Sequence, residues 1–260
     1  MPSRLSLSQF GLRWGAQVVL ESVTLDIEAP GCTVLLGPSG TGKSTLLRSL
    51  AGVDDAQPTR HSWGRCCHTD AAGQALAPPP LVPQGLQLPQ ASIGETLLGP
   101  GWAHAGHALA RLGPWLALAG CRHWAGCLAH SVAQCTPVEQ RILAILRCVR
   151  DRSPLILVDE PSAQLAAAAR ARVLRLLQAV AAQQGVLVVL HNLVEAQRLA
   201  QHIVLLANGR VQEAGPAAAF FARPASALGR QFLATGSCPE AARRSLAPPF
   251  PIFSPPKETA

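Results

Sequence analysis

The segment Gly37-Pro38-Ser39-Gly40-Thr41-Gly42-Lys43-Ser44-Thr45 constrains this chain more than any other, because it matches GxxxxGK[ST]. It follows the apolar run Thr33-Val34-Leu35-Leu36 and precedes a helical pattern that reaches about Ala51 and stops at Gly52, so it joins a strand to a helix. Small residues let successive backbone N–H groups converge on a polyphosphate, and the positive end of the following helix adds its dipole. In such a loop Lys43 neutralises the β- and γ-phosphates, and Ser44 offers its hydroxyl to Mg2+. Composition sharpens the assignment of Lys43. Of the 22 basic residues only Lys43 and Lys257 are lysines, and Lys257 falls within the last four positions. Arginine at 43 would bring a planar fork too bulky for the loop.

The second half of a nucleotide site is an apolar strand ending in an acid, and Leu155-Ile156-Leu157-Val158-Asp159 supplies it. Asp159 is placed to hold Mg2+, directly or through water, and Glu160 beside it to polarise the attacking water. Around these motifs residues 5–36 read as strands, with Pro30-Gly31 as a turn. Residues 54–80 read as irregular, and about 95–150 as mostly helical. After that, residues 165–184 form an amphipathic helix ended by Gly185, while 186–190 and 203–206 are buried strands. Alternation of this kind implies a parallel sheet with helices on its faces.

At this level of detail the chain resembles the ATP-binding subunits of ABC transporters over roughly residues 5–235. Trp14-Gly15 stands where that family places an aromatic that stacks on adenine. Leu81-Val82-Pro83-Gln84, followed by Leu88-Pro89 and Ser92-Ile93-Gly94-Glu95, is similar to the family's glutamine loop, which makes Gln84 the Mg2+- and water-sensing residue. Val188-Val189-Leu190-His191, continuing into Val194-Glu195-Ala196, is similar to the switch strand with its γ-phosphate histidine. The resemblance implies an α/β fold: a P-loop NTPase core with a mostly parallel sheet, an N-terminal antiparallel β-subdomain and a helical subdomain inserted at about 90–150. It also implies a domain spanning 1–235; Pro239, Pro248, Pro249, Pro251, Pro255 and Pro256 mark 236–260 as a tail expected to be disordered.

Two departures stand out against that family. Gln140-Arg141-Ile142-Leu143-Ala144-Ile145-Leu146-Arg147 resembles the QRVAIARA helix, so Gln134-Cys135-Thr136-Pro137-Val138 occupies the place of the signature LSGGQ. In the family, signature serine and glycine groups of one subunit close over the γ-phosphate held by the other. Here Pro137 has no N–H to give, and Cys135 is a weak donor. Thr136-Pro137-Val138-Glu139 fits a capping box instead, with Thr as N-cap, Pro at N1 and Glu at N3. That box would satisfy the helix end internally and present an anion where a partner's phosphate docks. The second departure is Ser162-Ala163-Gln164-Leu165-Ala166, where the family has a stretch like TSALD whose aspartate reaches across the dimer. Both changes fall on groups that serve the opposite subunit.

The resemblance therefore implies an ATPase that uses ATP and Mg2+, works as a homodimer or a heterodimer with another ABC ATPase, and drives a separate membrane permease of the importer type. A module that binds ATP for regulation or assembly, with little turnover, is the alternative. A P-loop kinase or GTPase is disfavoured, because no NKxD-type segment occurs. Net charge is +7, but the arginines are scattered and no dense basic run appears, so a nucleic acid partner is not expected. No uncharged apolar run approaches the ~18 residues that span a bilayer. The expected location is cytoplasmic, peripheral on the inner face of the membrane through the permease. Cys121, His123, Cys127, His130 and Cys135 cluster in sequence but lack paired CxxC or HxxxH spacing, so they read as reduced thiols and ordinary imidazoles.

Overall fold

Alternation along three short strands decides the architecture. In the computed structural model, which describes residues 2–85, 91–104 and 106–238, successive residues of these strands enter two different apolar cores. Val34, Leu36, Ile156, Val158, Val186 and Val188 face one core, whereas Leu35, Leu155, Leu157, Leu187 and Val189 face the other. A period of two with both faces apolar means a central sheet covered on both sides.

The chain begins with a long hairpin, β1 (Ser3–Trp14) and β2 (Gln17–Ala29), and then β3 (Gly31–Leu36) leads through the glycine loop into α1 (Lys43–Leu50). β4 (Arg60–Asp70) returns to pair antiparallel with β1, and β5 (Leu81–Val82) opens a mainly helical stretch of α2 (Ile93–Leu98), α3 (Gly106–Leu118) and α4 (Pro137–Arg150). Thereafter β6 (Leu155–Asp159), α5 (Ala167–Ala181), β7 (Gly185–Val189), α6 (Leu193–Leu199) and β8 (His202–Ala207) alternate. β9 (Arg210–Pro216), α7 (Ala217–Ala222) and α8 (Ala227–Thr235) follow.

Among the described residues the strands form one sheet in the order β4-β1-β2-β9-β8-β3-β7-β6-β5. The segment β8-β3-β7-β6-β5 is parallel throughout. β9 runs antiparallel to β8, and β4-β1-β2 form an antiparallel wing. α1 packs Leu46, Leu47 and Leu50 with that wing, while α4 and α5 bury Ile142, Leu143, Ile145, Leu146, Val173, Leu176 and Leu177 on the opposite face.

Residues 54–80 are the clear correction to the sequence reading. Eleven of them, Arg60–Asp70, form β4, in register with β1 from Ser3↔Asp70 to Trp14↔Arg60. This strand lies at the sheet edge, and most of its side chains are exposed, so it lacks the apolar alternation that marks a half-buried strand. β9 lies inside the sheet between β2 and β8, but none of its residues is fully buried, so it too lacks apolar alternation; α5 starts two residues later than expected. Leu88 and Pro89, and the tail beyond 238, lie outside the described residues.

Candidate active site

The glycine loop adopts a backbone that side chains could not follow. A Cβ on Gly37, whose φ is 148°, would lie 2.0 Å from the Leu206 carbonyl oxygen; one on Gly42, at φ 92°, would lie 2.9 Å from Val19 Cγ1. Thr41 Oγ1 donates to the Pro38 carbonyl at 2.9 Å, and Ser39 and Gly40 stand exposed at the loop's crown. Lys43 curls back under the loop, donating from Nζ to the Gly37 carbonyl at 2.8 Å and the Pro38 carbonyl at 2.7 Å. Burial pulls the Lys43 ammonium below its ordinary value, while Glu160 and Asp159 pull the other way. α1 starts from Gly42 with no side-chain cap and no acid in its first turn. Its N-terminal donors and dipole are therefore free for an anion, with Ser44 and Thr45 half-buried on the first turn.

Asp159 ends β6 at 5% exposure, and its Oδ1 is buried without a hydrogen-bond partner. Burial raises its carboxyl above the ordinary range; a hydrogen bond with Ser44 and the positive field of Lys43 and His191 oppose that shift, while the nearby Glu160 adds to it. An orphaned carboxylate oxygen beside a serine hydroxyl is a donor set suited to a hard divalent cation.

Glu160 follows in the left-handed region at φ 46°, a conformation that costs ~1–3 kcal/mol and collects at functional sites. Both of its carboxylate oxygens are engaged. Gln84 Nε2 donates to Oε2 at 2.8 Å, and His191 Nε2 lies 2.5 Å from Oε1. His191 leaves the end of β7 just before Asn192, whose Oδ1 caps α6 by accepting from the amides of Val194 and Glu195. Lys43, Asp159, Glu160 and His191 thus gather beyond the carboxyl ends of β3, β6 and β7, where open α/β sheets bind their ligands. Gln84 is brought to them across β5.

Trp14 stands apart from this cluster. It closes β1 at the hairpin turn and packs, half-buried, against the apolar group that contains Val19, the residue lying against Gly42.

Two sets of residues had no role in the sequence reading. Arg141 of α4 donates from Nη1 to the Glu160 carbonyl and from Nη2 to the Gln84 carbonyl, each at 3.1 Å. Glu195 accepts from Ser162 Oγ at 2.5 Å and faces Arg170 at 3.6 Å, tying the segment after β6 to α6. Together with Glu160, Gln164 and His191 these last three line a cleft of about 310 Å³. None of these contacts has a local signal, since each partner, the Arg170–Glu195 pair included, is at least 19 residues away.

The N-terminus of α4 is built quite differently from that of α1. Thr136 is the N-cap and Pro137 opens the helix; Glu139 N donates to Thr136 Oγ1 at 3.4 Å, and Thr136 N to Glu139 Oε2 at 2.9 Å. The capping box expected from sequence is present. Burial opposes ionisation of Glu139, but bonds from the Thr136 hydroxyl and amide, with the positive field of His123 and Arg172, hold its carboxyl below the ordinary value. His123 Nε2 lies 3.4 Å from Glu139 Oε1. Ala166 is the N-cap of α5 and makes no side-chain cap.

A glycine loop on a parallel strand, a buried aspartate with an orphaned oxygen and a glutamate at its shoulder define a P-loop nucleoside triphosphatase. A family model described as ABC transporter matches residues 20–163. The Fe(3+) ions import ATP-binding protein FbpC of Streptomyces coelicolor is 33% identical over 92% of this chain and 70% of its own length. The aliphatic sulfonates import ATP-binding protein SsuB 3 of Paraburkholderia xenovorans is 37% identical over 81% of this chain and 80% of its own. A solved structure described as an ATP-binding subunit of an ABC transporter shares the fold at TM-score 0.69 and 22% identity, over 88% of this chain and 98% of that one. This chain belongs to the ABC transporter family and is an ABC-type ATPase that binds nucleotide. No helix among the described residues is long and apolar enough to cross a membrane.

Proposed function

We propose that this chain energises transport through a separate membrane permease, as the ATP-hydrolysing subunit of a bacterial importer. The observation that carries the reading is the convergence of Lys43, Asp159, Glu160, Gln84 and His191 at the carboxyl ends of the strands, with Gln84 and His191 both on the Glu160 carboxylate and Lys43 in the field of the two acids. Support for import comes from relatives named as import ATP-binding proteins. Residues 1–235 are taken as the ATPase domain, with the helical stretch at about 90–150 inserted into it.

In this reading the amides of 37–45 and the free end of α1 bind the β- and γ-phosphates, and Lys43 exchanges its two carbonyl partners for phosphate oxygens. Trp14 covers the adenine. Ser44, Asp159 and Gln84 hold Mg2+, which when bound neutralises phosphate charge. Glu160 takes the proton of the attacking water. Each of its oxygens holds one partner, Gln84 or His191, and keeps a second lone pair for the water. His191, once free of Glu160, turns to the γ-phosphate.

The second half of each site comes from another subunit. A head-to-tail homodimer would bring two self-capped α4 ends, whereas a heterodimer with an ABC ATPase carrying an open signature would complete one site well. The self-capped end of α4 specifically favours a second reading, an ATP-binding regulatory or assembly module with little turnover. ATP turnover by the full chain, with and without its membrane subunits, separates the two. Nucleic acid is not among the proposed partners, and the proposed place is the inner membrane face, reached through the permease.

Lys43→Ala should weaken ATP binding by about 10²-fold, since charge-assisted bonds are worth ~1.5–3 kcal/mol each. Calorimetric titration of the full chain with ATP measures this, and an unaltered affinity would remove the basis of the reading.

A further inference from the structure

One guanidinium joins the backbones of the two residues whose side chains meet at the centre of the site. Arg141 Nη2 donates to the Gln84 carbonyl and Nη1 to the Glu160 carbonyl, while Gln84 Nε2 donates to Glu160 Oε2. These bonds close a ring through three segments that are 57 and 19 residues apart. We infer that Arg141 is a positioning residue: its planar fork sets the distance between Gln84 and the Glu160 carboxylate, and so prepares the metal- and water-binding side of the site. The inference rests on the ATP-site reading above, and extends it to a residue outside the loop, the acids and the switch.

Three observations support a geometric role over mere stabilisation. Arg141 is only 8% exposed, yet its Nε is buried without a partner. A buried guanidinium with an unsatisfied N–H is costly, and apolar packing would serve a helix core better. Its two bonded carbonyls belong to residues that act through their side chains, and one of them, Glu160, sits in a strained left-handed backbone that must be held from outside. Finally, the task requires a fork. A lysine ammonium is a point charge on a flexible stem, and cannot hold two carbonyls at a fixed separation as a planar guanidinium does.

α4 carries this fork one turn after the self-capped end at Thr136, so a push on that end reaches Gln84 and Glu160 through one side chain. Asp159 and Glu160 supply the negative field that offsets burial of the guanidinium.

The test uses the full chain and measures ATP affinity twice, in EDTA and in Mg2+, for wild type, Arg141→Lys, Gln84→Ala and the double variant, with melting curves for each. Arg141→Lys should keep its EDTA affinity within about twofold while losing about fivefold of the gain conferred by Mg2+, the equivalent of one ~1 kcal/mol hydrogen bond. The double variant should be no worse than the weaker single variant, because one ring is broken either way. Equal losses in EDTA and Mg2+ would mark Arg141 as a packing residue, and losses that multiply in the double variant would make it independent of Gln84; either result overturns the inference. If Arg141→Lys is unstable, Arg141→Gln carries the same comparison. A wild-type chain that fails to bind ATP would overturn the site reading itself, an outcome distinct from selective failure in the variants.

Discussion

Two helices of this chain begin where a phosphate would be expected, and they begin in opposite ways. α1 starts from a glycine in left-handed conformation, with no side-chain cap and no acid in its first turn. α4 starts from Thr136, with a proline at its first position and Glu139 bonded back to the cap. The first end leaves its donors and positive dipole available; the second has spent them internally and folds a half-buried carboxylate back across its own cap. In the proposed reading the first serves the chain's own nucleotide, and the second serves the nucleotide of the opposite subunit. Ala166 falls on the second side too, as an N-cap without a cap. The difference teaches that the chain's capacity to hold ATP and its capacity to complete another subunit's site are separable, since only the second has been altered.

The sharpest way to break this comparison is to attack the side that looks intact. Glu160→Gln should lower ATP turnover by about 10²–10⁴-fold, the usual worth of a positioned general base, while ATP affinity stays near that of wild type. Single-turnover measurements on the chain with its partners check this. If turnover survives the substitution, the site called intact is not where hydrolysis occurs.

Glu139→Gln probes the other side and should have a smaller effect. Glutamine can still complete a capping box, so the change removes charge while keeping the bond. Turnover of the full chain alone should rise about threefold or more, as roughly 1 kcal/mol of repulsion with a facing phosphate disappears. Stability should fall by ~0.3–1 kcal/mol with loss of an anion at a helix N-terminus. The pH dependence has a definite sign. Because the folded carboxyl lies below its ordinary value of 4.5, its contribution is complete above that value and vanishes as pH falls through the lower folded value. Denaturation of wild type and variant should therefore differ at pH 7 and converge in acid. A gap that persists at low pH would show that the charge of Glu139 contributes nothing.

The same contrast explains which parts of the molecule were legible in the sequence. The glycine loop, the β6 strand with Asp159 and Glu160, and the Thr136–Glu139 capping box are each contiguous, so their geometry follows from residue order within one turn or strand. Gln84 and His191 needed the family's spacing to be picked out, because a lone glutamine or histidine carries no local pattern. β4, at the sheet edge, and β9, inside the sheet but without a fully buried side chain, were illegible because neither shows apolar alternation. Arg141 was readable as part of a helix but not as a bridge, because its partners are set by how α4 packs beside β5 and β6 rather than by anything near it in the chain. The tie between Ser162 and Glu195 was hidden in the same way.

The smallest effect comes from restoring a residue on the altered side. Ala166 has extended backbone angles, φ −64° and ψ 157°, at the N-cap of α5. Those angles already suit an aspartate whose oxygen accepts from the second or third amide of the helix. Ala166→Asp should therefore stabilise the chain by ~0.5–2 kcal/mol, which for a domain of this size raises the melting temperature by about 2–4 °C per kcal/mol. Thermal denaturation of the purified chain measures it. Should stability rise while turnover with the membrane subunits stays flat, the missing aspartate matters only to the helix, and the alteration toward the opposite subunit resides at α4 alone. A rise in both would place part of it at α5. No gain in stability would mean that the α5 amides are already satisfied by other groups, and that Ala166 costs the fold nothing.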